Sequence, residues 1–75
     1  MEYYRNRNGR SGVRAYEIGN NFIIVQFSDS SAYEYTYSVT GPINVENMKQ
    51  LAINGQGLNS FINRYVKYNY SRKLR

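Results

Sequence analysis

The spacing of hydrophobic positions along this chain changes once, near residue 41. Before that point three segments, Val13 to Ile18, Phe22 to Ser28 and Ala32 to Val39, are rich in β-branched and aromatic residues. Gly19-Asn20-Asn21 and Asp29-Ser30-Ser31 separate them, the punctuation of a three-stranded antiparallel meander. In the third segment Tyr33, Tyr35, Tyr37 and Val39 point to one face and Ala32, Glu34, Thr36 and Ser38 to the other, and the tyrosine face is the one with apolar surface to bury. A two-residue turn at Asn20-Asn21 pairs Ile18 with Ile23 and Tyr16 with Val25, asparagine being tolerant of the positive φ such a turn needs. Tyr16 and Ile18 then join the core. An odd loop, Asp29 to Ser31, sets Ile23, Val25 and Phe27 beside Tyr37, Tyr35 and Tyr33.

Beyond Thr40-Gly41-Pro42 the period becomes helical. Asn44 is the expected N-cap, Ile43 and Met48 the expected hydrophobic staple, and Val45, Met48, Leu51 and Ala52 form one apolar stripe. Gly55 closes this helix as a left-handed cap. After Gln56-Gly57, Leu58, Phe61, Ile62 and Tyr65 follow the i, i+3, i+4, i+7 pattern of a second helix, with Asn59 read as its N-cap. Its opposite face, Asn59, Ser60, Asn63, Arg64 and Lys67, is polar. Two helices after a meander cover one sheet face, and only the tyrosine face offers them an apolar floor. The expected fold is therefore α+β, ordered β-β-β-α-α, with a single domain over residues 13–67. Residues 1–12 read as a flexible basic arm whose Tyr3 and Tyr4 need no packing, and residues 68–75 as a basic tail.

The strand pair IVQF (Ile24 to Phe27) and YEY (Tyr33 to Tyr35), Val39 and Pro42 before the first helix, and Gly55, Leu58, Asn59 and Ile62 around the second resemble the KTSC domain family. These are small modules found at the C-terminal end of some lysyl-tRNA synthetases and as free-standing chains. The resemblance spans about Ser11 to Tyr65. It departs from the family pattern at the inserted Thr40-Gly41, at Ile53 where a Ser is usual, and at Asn63, where the family has an Arg that follows here as Arg64. What it implies is a small α+β module with a connection to nucleic acid. Similar stand-alone chains occur among phage and mobile-element products.

Charge is segregated along the chain. Residues 1–12 sum to +2, residues 13–60 to −2 and residues 61–75 to +5. Basic arms on a slightly acidic body attract polyanions and gain entropy by releasing counterions. The chain has no Cys and no His, which removes thiolate catalysis and the commonest zinc ligands and fits a reducing compartment, the cytoplasm. No segment has the length of apolar sequence needed to span a bilayer, so no membrane partner is expected. With nine Tyr and three Phe among 75 residues, aromatic rings supply much of the core of a short chain.

The candidate chemistry follows from these patterns. Arg64, Lys67, Arg72, Lys73 and Arg75 alternate with Tyr65, Tyr68 and Tyr70, a set in which cations neutralise phosphates while rings stack on unpaired bases. Arg5, Arg7 and Arg10 add to it from the N-terminal arm. The expected ligand is nucleic acid, RNA ahead of DNA. A protein-binding or adaptor role is the alternative, through a free edge of the first or third strand or an outer sheet face carrying Phe22 and Ile24. Gly55-Gln56-Gly57 follows a helix rather than a strand, so it reads as a cap and linker and not as a phosphate cradle. Scattered carboxylates and no His leave acid-base and nucleophilic catalysis without players, so neither an enzyme nor a cofactor is expected.

Overall fold

Gly19-Asn20-Asn21 turns the chain back on itself as the hydrophobic pattern requires. The computed structural model describes residues 1–7, 9 and 11–75. In it β2 (Val13–Ile18) pairs with β3 (Phe22–Phe27), setting Ile18 opposite Ile23 and Tyr16 opposite Val25, the expected register. The turn does not use left-handed asparagines, since neither Asn20 nor Asn21 has a positive φ. What the turn needs is room at Gly19, where a Cβ would collide with the Phe22 ring. Tyr16 packs against the core as expected, but Ile18 lies at the rim and is exposed. Between the pairs Val13–Phe27 and Ala15–Gln26 the register shifts, leaving Arg14 as a bulge residue that lets both Val13 and Tyr16 pack on the helical side.

β3 pairs with β4 (Ala32–Thr36), with Ile23 opposite Tyr35 and Val25 opposite Tyr33. The faces match those read from the sequence, but the register differs by two residues. The turn explains this. Ser30 takes the left-handed conformation (φ 73°), its N–H donates to the Phe27 carbonyl at 2.9 Å, and Phe27 N–H donates to the Ser31 carbonyl at 2.8 Å. The loop is therefore Ser28 to Ser30, one residue earlier than Asp29 to Ser31, and moving a hairpin loop by one residue moves the register by two. Asp29 holds the turn by accepting the Ser31 N–H at 2.9 Å and the Ser31 hydroxyl at 2.6 Å.

The third expected strand ends early. Tyr37–Thr40 forms a single helical turn, α1, which exposes Val39 and buries Thr40. α2 (Pro42–Asn54) starts with Pro42 in its first turn behind Gly41 (φ 99°). That is two residues before the expected cap, so Asn44 instead donates its side-chain amide to the Thr40 carbonyl at 3.0 Å. Ile43 is 78 % exposed and does not staple onto Met48. The stripe itself holds: Val45, Met48 and Ala52 are buried with Tyr35, Ile23 and Val25. Gly55 ends the helix in the left-handed conformation, its N–H shared between the Leu51 and Ala52 carbonyls.

α3 (Leu58–Phe61) follows Gly57 and runs directly into a π-helical segment, Ile62–Val66. Gly57, not Asn59, occupies the N-cap. The wider i→i+5 turn brings Val66 over Ile62 and swings Tyr65 outward, so Leu58, Ile62 and Val66 form the buried row while Tyr65 is exposed.

Both ends of the chain join the sheet. β1 (Glu2–Tyr3) pairs with β2 and β5 (Arg72–Lys73) with β4, giving a five-stranded antiparallel sheet in the order β1-β2-β3-β4-β5. Tyr4, for which the sequence required no packing, is 6 % exposed and belongs to the core. The edges on which a partner strand was expected to pair, those of β2 and β4, are occupied by the chain's own end segments. The new edges are two residues long, and that of β5 carries charge, a combination that discourages further strand pairing.

Candidate functional site

The return of the C-terminal segment builds a groove. Directly opposed residues on neighbouring strands share a face, and β5 sets Lys73 opposite Tyr33 and Arg72 opposite Glu34. The alternation separates the two cations. Arg72 lies toward the outer face, where its Nε donates to Glu34 Oε1 at 2.8 Å. Lys73 lies toward the helical side, with its ammonium 5.8 Å from the centre of the Tyr33 ring, within cation–π range. Tyr70 packs edge-on against the same ring at 4.8 Å between centres, and Phe27 meets it from the other side at 5.9 Å.

Across from this aromatic floor stands the end of the helical layer. Asn59, Asn63 and Lys67 are spaced i, i+4, i+8, one position beyond the buried row Leu58, Ile62 and Val66, and all three line the groove. Its volume is about 430 Å³, within the range of about 300–1,000 Å³ usual for small-molecule sites. Tyr68, 81 % exposed, stands at its mouth with the Lys67 ammonium 5.6 Å from its ring centre.

The acids near the groove are already engaged. Asp29 lines it, and hydrogen bonds from the Ser31 hydroxyl and then the Ser31 N–H hold its carboxyl below the usual range. Glu34 is paired with Arg72. Burial pushes the Tyr35 hydroxyl well above its ordinary value, and at 1 % exposure this ring is part of the core.

The fold thus brings Lys67, Tyr68 and Tyr70 of the basic set to the lining of one groove, with Lys73 beside it over the Tyr33 ring. It does not bring the rest there. Arg64 sits over the exposed Tyr65 ring at 5.6 Å, Arg72 faces away with Glu34, and Arg75 lies where its backbone meets Ala32 at the end of the β4 edge. Arg5 and Arg7 are on the β1 side of the molecule, against the cap of α2: a Cβ on Gly55 would meet that of Arg5, and Arg7 N–H donates to the Gly55 carbonyl at 2.8 Å. Arg10 lies outside the described residues. Sequence reasoning misses Asn63 as a groove residue and takes Asn59 for a cap; their common spacing with Lys67 is the available signal.

Among the described residues no cluster of His, Cys, Asp and Glu could hold a metal ion, and no helix is long and apolar enough to cross a membrane. No protein-family model matches the chain, nor does any curated protein or solved structure.

Proposed function

We propose that this chain is a non-catalytic module that binds single-stranded nucleic acid, RNA ahead of DNA, through the groove between β4–β5 and the end of the helical layer. The observation that carries this reading is the docking of the C-terminal segment, which lays Tyr70 against the Tyr33 ring and Lys73 over it, beside a groove that Lys67 also lines. Cations beside aromatic surfaces are the combination that single strands need, because phosphates and unstacked bases are then met together. The preference for RNA rests on the resemblance to KTSC modules, which accompany tRNA-handling enzymes. The cysteine-free composition agrees with the cytoplasm as the setting.

Equilibrium binding of a fluorescent single-stranded RNA at graded salt tests the proposal. Each phosphate neutralised on a single strand contributes about −0.7 to the slope of log affinity against log salt. The two groove lysines alone give about −1.4, and Arg64 and Arg75 together with them about −2.8. A flat response would refute it.

A protein-binding adaptor is the second reading. It draws on the shallow hollow where Met1, Tyr16, Ile18 and Ile53 meet, three of which are exposed apolar side chains. Glu2 and Glu17 also line it, so it would not attract a polyanion.

A further inference from the structure

One buried side chain of the groove ends in a polar group without a partner. Tyr35 is 1 % exposed and lines the cavity. Among the described residues the tyrosine hydroxyls with hydrogen-bond partners are those of Tyr4 and Tyr37, and that of Tyr35 has none. No side-chain nitrogen or oxygen among these residues is both unpartnered and sealed from solvent, so the Tyr35 hydroxyl opens into the groove. Burial first, and then the neighbouring Tyr33 and Tyr70, hold it well above its ordinary value, which keeps it a neutral O–H donor. A buried hydroxyl of this kind costs free energy until something completes its hydrogen bonding.

We infer that this hydroxyl seats a terminal phosphate, the phosphomonoester at the end of a strand or on a free nucleotide, with Lys67 as its counter-charge. This rests on the nucleic-acid reading above and names the part of the ligand that the groove holds. The charge of the lining favours an anion. Lys67 lines the groove and has no carboxylate partner among the described residues, and Lys73 stands beside it over Tyr33. Asp29 is the one carboxylate among the lining residues. It belongs to the β3–β4 turn, where it accepts from Ser31, and Ser31 is four positions, about 13 Å of extended chain, before Tyr35. The depth favours a chain end. An internal phosphodiester carries a sugar on each side and runs along a surface, whereas a phosphomonoester projects from its chain and reaches a donor as enclosed as Tyr35. It is close to dianionic at neutral pH and presents three acceptor oxygens. These suffice for the Tyr35 hydroxyl, the Lys67 ammonium and an amide N–H of Asn63, one turn before Lys67 on the same row. Tyr68 at the mouth and the Tyr33–Tyr70 pair offer ring faces to the attached base whatever its identity. The cavity of about 430 Å³ suits one such nucleotide, not a length of strand.

Three RNA hexamers of one mixed sequence, with a 5′-phosphate, with a 3′-phosphate and with hydroxyls at both ends, compete against a fluorescent strand for the intact protein. At least one phosphorylated form is expected to bind about tenfold more tightly than the hydroxyl form, the worth of one hydrogen bond to a charged group. The added charge alone also favours that form, and Tyr35→Phe separates the two effects because it keeps the ring and every charge. This variant, shown to be folded by its urea midpoint, should lose most of the preference while its affinity for the hydroxyl form stays nearly unchanged. Uridine 5′- and 3′-monophosphates, followed by phosphorus NMR, test the seat without a strand: at least one signal should shift with the natural protein and stay put with Tyr35→Phe. Equal affinities for the three hexamers, or a preference that survives in Tyr35→Phe, would overturn the phosphate seat and leave nucleic-acid binding standing. A mononucleotide that binds while no hexamer does would uphold the seat and overturn the strand. No binding of either would overturn both.

Discussion

The Tyr4 hydroxyl accepts a hydrogen bond from the backbone N–H of Leu58 at 3.2 Å, in the interior, across 54 positions of sequence. This bond satisfies a donor in the first turn of α3, which has no side-chain cap of its own. It also couples the N-terminal segment to the helix that carries Asn59, Asn63 and Lys67. The two end segments are thus both structural: one supports the helical wall of the groove and the other completes its floor.

Tyr4→Phe keeps the ring and removes the acceptor, leaving the Leu58 N–H buried without its partner. The expected loss is about 1–3 kcal/mol, read as a lower midpoint in urea denaturation. Tyr4→Ala removes the ring as well and should cost about 3–5 kcal/mol, the range for deleting a buried aromatic.

Gly9 and Gly55 have nearly the same backbone, φ 72° and 73°, in different surroundings. An alanine at either would have to hold the left-handed conformation, at a cost of about 1–2 kcal/mol. At Gly55 its Cβ would also fall 2.5 Å from the Arg5 Cβ and 3.3 Å from the Arg5 Cα, whereas at Gly9 nothing among the described residues lies within 4 Å. Gly55→Ala should therefore be the more destabilising by about 1–3 kcal/mol, the usual cost of overpacking. Thermal or urea unfolding of the two variants measures the difference.

Glu46 links α1 to α2, accepting the Lys49 ammonium at 2.8 Å and the Tyr37 hydroxyl at 2.5 Å. Lys49 first and Tyr37 second hold its carboxyl below the ordinary value of 4.5, while the same bond raises the Tyr37 hydroxyl above 10.0. A carboxylate depressed by folding stabilises the protein above its unfolded pKa and loses that contribution as pH falls through the folded value. A hydroxyl raised by folding contributes below its unfolded pKa and loses that as pH rises through the folded one. Stability should decline on both sides, below about pH 4.5 and above about pH 10, and Glu46→Gln should flatten both limbs of a denaturation series against pH.

Much of this fold can be read from residue pattern alone, and the places where it cannot have physical causes. Period-two and helical spacing locate β2, β3, α2 and the buried face of Tyr35, because burial of one face dominates those segments. The first hairpin register follows from Ile18 and Ile23. The second slips by two because a side chain, Asp29 acting on Ser31, decides where the loop closes, and apolar patterning is silent on that choice. Tyr65 and Val66 exchange roles because the π-helical turn changes the period within the helix. Residues 1–12 and 68–75 resist sequence reading most, since Glu2–Tyr3 and Arg72–Lys73 are too short to show alternation and are held by pairing with distant strands. The groove is invisible for the same reason: Tyr70 and Lys73 reach the Tyr33 ring only once the C-terminal segment has docked on β4.

Removing residues 71–75 takes away Lys73 and Arg75 and uncovers the β4 edge. Besides backbone pairing, the truncation breaks the ion pair between Glu34 and the Arg72 side chain, which is 67 % exposed, and exposed pairs are worth about 0.2–1 kcal/mol. Single-strand affinity should fall and the salt slope should become shallower by up to about 1.4, two phosphates' worth. Binding isotherms at three salt concentrations compare the truncated and full chains.

The proposal that single-stranded nucleic acid binds in the groove between Tyr33 and Lys67 is tested most directly at those residues. An amide NMR titration of the isotope-labelled chain with short single-stranded RNA, at low and at physiological salt, reads binding residue by residue. The predicted result is a set of shifts at Tyr33, Asn63, Lys67, Tyr68 and Lys73 that weakens as salt is raised. Shifts confined to the hollow around Met1, Ile18 and Ile53, or no shifts at low salt, would contradict it.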